Sequence, residues 1–176
     1  MSTRPGRRTS QLEFAVALTL VALFAGWWAT RFVAAQADVR ILRVKEMATA
    51  MRMLSREVHL QAVVAQQGDM TGVIRTGYGL IEMQDGHPTA SASGIGQLMA
   101  QHMPARQMSC APMQVPDPAR SGQWISAFEC APAELQGLVR ERCAARYLPP
   151  LWQGGEPTVT FLFHSKRAAG LPCELD

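Results

Sequence analysis

Between Phe14 and Thr30 the chain runs without a charge, directly after a tail that carries Arg4, Arg7 and Arg8. As a helix this run is roughly 26 Å long, close to the ~30 Å hydrocarbon core of a bilayer. Leu12 on one side and Phe32 to Ala35 on the other lengthen it, and Trp27, Trp28 and Arg31 form a far-side anchor of the kind found at a headgroup layer. The arginines before the run favour a cytoplasmic N-terminus, so the remainder of the chain is expected outside the cytoplasm. A cleaved secretory signal ending at Ala35-Gln36-Ala37 is the alternative, and it exports the same remainder. Glu13 stands at the edge of the run, where an ionised carboxylate is costly unless a cation meets it.

The charge distribution fits this division. Residues 1–56 hold nine Arg/Lys and three Asp/Glu, whereas residues 57–176 hold eight and eleven. Positive charge therefore gathers around the apolar run instead of forming a basic patch on a globular part, which argues against nucleic-acid binding.

Beyond the run, Ala37, Ile41, Val44, Ala48, Met51, Leu54, Val58, Ala62 and Ala65 recur at helical spacing, with Met47 beside them and no proline between Pro5 and Pro88. The reading is one helix from Ser10 to Gln67 with Gly68 as its C-terminal cap. Four segments follow: a basic leader at 1–8, a transmembrane helix at 9–36, its amphipathic continuation at 37–67, and a globular domain at 68–176. In that domain Met70–Arg75, Tyr78–Met83, Gln123–Glu129 and Thr158–Phe163 are expected as strands, and Gln84-Asp85-Gly86-His87-Pro88 as a turn. Short helices are expected over Gly94–His102, capped by Ser93, and over Ala133–Arg142, with loops elsewhere. The fold class is α+β: a long N-terminal helix packed on a small antiparallel sheet.

Cys110, Cys130, Cys143 and Cys173 all lie in the exported part, as disulfides in an oxidising compartment require, and they lack the CxxC spacing of a zinc site. Of the three possible pairings, Cys110–Cys130 with Cys143–Cys173 gives each cysteine a local partner and lets Thr158–Phe163 pair with the segment after Cys143. No catalytic constellation stands out. His59, His87, His102 and His164 each read as surface histidines, Gly94-Ile-Gly96 lacks the third glycine of a dinucleotide loop, and neither a metal nor a cofactor is expected.

A basic leader, a glutamate entering an apolar segment, a long helix and a disulfide-containing C-terminal domain together resemble the type IV pilin and pseudopilin family. "GLIEMQDGHPTASASGI" (79–95) is similar to the strand, turn and helix start of mannose-sensitive hemagglutinin-class pilins, with His87 in place of a tyrosine. "CAARYLPP" (143–150) and "PTVTFLFHSKRAAGLPC" (157–173) resemble the closing strands and final cysteine of that class. The resemblance implies a non-enzymatic subunit of a pilus or secretion pseudopilus in the bacterial inner membrane. Its implied partners are other pilin or pseudopilin subunits, inner-membrane assembly machinery, a prepilin peptidase and membrane lipid. Glu13 becomes the assembly residue. Gly6, Arg7, Arg8 and Thr9 mark the leader cut: Glu13 is seventh after Gly6 and fifth after Arg8, where the family places its glutamate fifth in the mature chain.

Overall fold

The structure, a computed structural model, describes residues 7–68, 70–104, 106–117, 119–135, 143–152 and 155–163. The fold is mixed α+β, with an N-terminal helix and two antiparallel sheets. By its contacts the chain divides into two compact units, Met1–Asp38 and Val39–Asp176.

Helix α1 runs without a break over Arg7–Val64. With no proline in its span, nothing removes an intrahelical donor. The end is set by Gln66, whose φ of 58° places it in the left-handed region. The Gln67 amide donates to Ala62 O and the Gln66 amide to Val63 O, the paired bonds of a Schellman cap. Gly68 was the expected cap, yet a glutamine two residues earlier takes the positive φ.

In the second unit the expected stripe is the core. Val44, Met47, Ala48, Met51, Leu54, Val58 and Ala62 are buried, and Ile41 packs against them half-buried, whereas Ala65 is exposed. A period of 3.6 residues places these side chains on one face, and burying each larger one stabilises by about 1.5–3 kcal/mol. That face shares one core with Ile81, Met83, Leu98, Met99, Phe128, Cys130, Ala145 and Tyr147.

The smaller sheet has the order β1 (Gly72–Thr76), β2 (Gly79–Gln84), β3 (His87–Pro88). Asp85 and Gly86 close β2 onto β3 with φ of 51° and 77°, the double positive φ of a two-residue hairpin turn. A Cβ on Gly86 would run into the Gly68 carbonyl oxygen, so position 86 needs glycine for both conformation and space. Helix α2 covers Ile95–His102 with Gly94, not Ser93, at its N-cap. The Ser93 hydroxyl donates to Glu82 Oε2 at 2.6 Å, beside Ser91 at 2.8 Å and Thr89 at 3.1 Å. These three donors, Ser93 first, hold the Glu82 carboxyl below its usual range.

The larger sheet has the order β4 (Met108–Pro116), β5 (Trp124–Pro132), β6 (Cys143–Leu148), β7 (Thr158–Phe163), all antiparallel. Strand β4 was expected to be loop because it holds Pro112 and Pro116. It lies at the sheet edge, where a missing N–H breaks no ladder. Strands β6 and β7 pair from Cys143↔Phe163 to Leu148↔Thr158, as the cysteine spacing led us to expect. Of the expected helix over Ala133–Arg142, Ala133 and Glu134 form a turn after β5, and residues 136–142 lie outside the described residues.

Candidate functional site

The first unit offers one surface. Every described side chain from Glu13 to Phe32 is exposed, including Phe14, Val21, Leu23, Phe24, Trp27, Trp28 and Phe32. These 20 residues are long and apolar enough to cross a membrane. An exposed apolar surface of this size is strongly unfavourable in water and marks a lipid or protein contact. The hydroxyls within it are satisfied locally: Thr19 donates to Ala15 O and Thr30 to Trp27 O, both at 2.8 Å. Intrahelical back-bonding of this kind removes the penalty of an unpaired donor in hydrocarbon. At the far end the Arg31 guanidinium lies 5.5 Å from the Trp27 ring centroid, and Phe24 contacts both tryptophans.

Glu13 opens this span and is exposed. Arg7, Arg8 and Thr9 lie in the first turn of α1, and Gly6 is outside the described residues. The helix thus brings Glu13 within two turns of the proposed cut region, because every residue between them is helical.

The cysteines follow the sheet. Cys110 and Cys130 face each other across the β4–β5 ladder and are bonded, with Cα atoms 4.1 Å apart. Cys143 is also disulfide-bonded, and its expected partner Cys173 lies outside the described residues.

Two of the histidines are brought together, which the sequence reading did not anticipate. His87 is buried, not a surface turn residue, and its ring stacks on His59 with centroids 4.2 Å apart and planes 6° from parallel. The His59 Nδ1–H donates to the Gly86 carbonyl oxygen at 2.8 Å, since a carbonyl can only accept. His87 Nδ1 is buried and has no hydrogen-bond partner among the described residues. Burial, and then the adjacent His59, push the His87 pKa down to about 4, against the opposing pull of Glu156 and Asp85. His102 is exposed in the last turn of α2, and His164 is outside the described residues. Only tertiary contact joins positions 59 and 87, and the one sequence signal was His59 bordering the apolar stripe.

The pair lines a groove of about 690 Å³ over the C-terminal part of α1. Arg52, Arg56, Leu60 and Val63 of α1 form one side, and Asp85 and the segment Gly155 to Val159 form the other. Arg52 is held across it: Nη2 donates to Val159 O at 2.7 Å, and its guanidinium lies 5.3 Å from the Phe161 ring centroid. Among the described residues no group of three or more His, Cys, Asp or Glu is arranged to hold a metal ion. No family model, curated protein or solved structure matches the chain.

Proposed function

We propose that this chain is a non-enzymatic structural subunit, major or minor, of a type IV pilus or secretion pseudopilus, assembled through its N-terminal helix. The observation that carries the proposal is the division of labour along α1. One unbroken helix presents an exposed apolar span at Glu13–Phe32 and, from Val44 to Ala62, supplies the core of a disulfide-bonded α+β unit. A simple anchor needs only the first property, and a soluble core helix only the second.

In this reading the span lies in the bacterial inner membrane with its N-terminus cytoplasmic, and the second unit is periplasmic or part of an extracellular filament. Glu13 pairs with a cation of an adjacent subunit, either the amine created by a prepilin peptidase or a retained Arg7 or Arg8. Attraction between such charges is greatest in a low-dielectric bilayer, and a buried charge without its partner is strongly disfavoured. A second reading, a singly anchored periplasmic binding module that never polymerises, is favoured by the groove beside His59 and His87.

Mechanical shearing of intact cells separates the two. A filament subunit appears in the sheared, sedimentable fraction together with partner subunits, whereas a solitary anchored module stays with the membrane. The intact mass of the membrane-extracted protein then fixes the processing site among no cut, a cut near Gly6 and a cut after Ala37.

A further inference from the structure

The groove over α1 has a length, a charge order and an apolar patch that together describe a ligand. From Arg52 to Val63 its helical side extends roughly 16 Å at 1.5 Å per residue, which about five residues of extended chain would match. Arg52 and Arg56 stand one helical turn apart, an arrangement that is repulsive by itself. Arg52 is anchored on Val159 O, while Arg56 is exposed and has no hydrogen bond or ion pair among the described residues. The ion pairs seen among those residues are Arg43–Glu134 and Arg146–Glu129, away from the groove. One and two turns further on, Leu60 and Val63 are 52% and 48% exposed.

Between these ends the Asp85 and Glu156 carboxylates, both acceptors, line the facing side. A compact anion such as phosphate would meet repulsion from the two carboxylates. A polypeptide carries one acidic side chain at a chosen position and offers backbone N–H donors elsewhere, which suits all of these groups.

We propose that this groove binds an extended peptide of about five residues, its acidic side chain on Arg56 and its apolar side chains on Leu60 and Val63. The site belongs wholly to the second unit and does not depend on whether α1 enters a membrane.

The test uses the full chain in lipid nanodiscs and two capped, fluorescein-labelled peptides, Glu-Ala-Val-Leu-Ala and the reverse Ala-Leu-Val-Ala-Glu, with empty nanodiscs as the blank. One of the two orientations should give a saturable rise in anisotropy. Replacing the peptide's glutamate by glutamine should weaken binding at least tenfold without touching the protein. Arg56→Gln should do the same, whereas Arg120→Gln, on an exposed turn outside the groove, should bind like the parent. The proposal is overturned if neither peptide saturates, if the glutamine peptide or Arg56→Gln binds as tightly as the original, or if inorganic phosphate displaces the peptide at equal affinity.

Discussion

His87 shows how one side chain couples acidity to stability. Its imidazole is buried against His59, and its folded pKa lies near 4 where an unfolded histidine titrates at 6.5. Between those values the unfolded chain binds more protons than the folded one, so the folded state gains stability as pH rises through this window. The contribution is fully present above pH 6.5 and falls by about 2 kcal/mol as pH drops toward 4. Urea unfolding of the second unit in the full chain should show this slope, and His87→Phe, which keeps a stacked ring without a titrating nitrogen, should flatten it. An equal slope in the variant would place the pH dependence elsewhere. On α1, Met51 and Leu54 are buried, so Met51→Asp or Leu54→Asp introduces an uncompensated carboxylate and should abolish the protease resistance of the second unit. Arg52 lies off the apolar stripe of α1, yet its bond to Val159 O and its contact with Phe161 tie α1 to β7. Arg52→Ala should therefore cost about 1 kcal/mol, measurable as a lowered unfolding midpoint. Full retention of stability would mean that the guanidinium merely rests on the ring.

At the scale of elements, the β4–β5 hairpin is fastened by a disulfide between residues already opposite each other. Closing a loop of this size stabilises by roughly 3 kcal/mol in the chain-entropy account. A Cys110→Ser/Cys130→Ser double variant should lose about that much in denaturant titration, and an unchanged midpoint would show that the β4–β5 ladder holds without it. Unreduced peptide mapping should recover Cys110 joined to Cys130 and Cys143 joined to Cys173, and a Cys110–Cys173 peptide as the main species would reject that pairing. The elements also show where the sequence was readable. The stripe from Val44 to Ala62 was legible because burial on one helical face forces a 3.6-residue period, whatever the partner. Strands β2 and β7 were legible from their β-branched and apolar content, and the Asp-Gly turn from its need for positive φ. Strand β4 was hidden because Pro112 and Pro116 normally forbid a ladder, and only its edge position tolerates them. Gln66 as a helix cap and the His59–His87 stack were hidden for a related reason. Each is imposed by tertiary surroundings and not by a local preference.

Over the whole molecule, the membrane-length apolar span was plain from the sequence, whereas the groove of the second unit was not, since it needs the C-terminal part of α1, the β2–β3 turn and the entry to β7 together. The proposed assembly places these two features in different roles. In that proposal the apolar span would attach the chain to lipid and neighbours, and the second unit would supply a disulfide-fastened surface. Glu13 joins the two proposals of anchoring and assembly, because an exposed carboxylate opening an apolar span gains most from a cation brought by another subunit. The most direct test expresses Glu13→Ala, with Glu13→Gln as the uncharged near-isostere, beside tagged parent chain and quantifies each in the membrane and in sheared filaments. The account predicts normal membrane insertion and protease resistance for both variants, with incorporation into filaments reduced at least tenfold. Filaments that take up both variants as readily as the parent would contradict it.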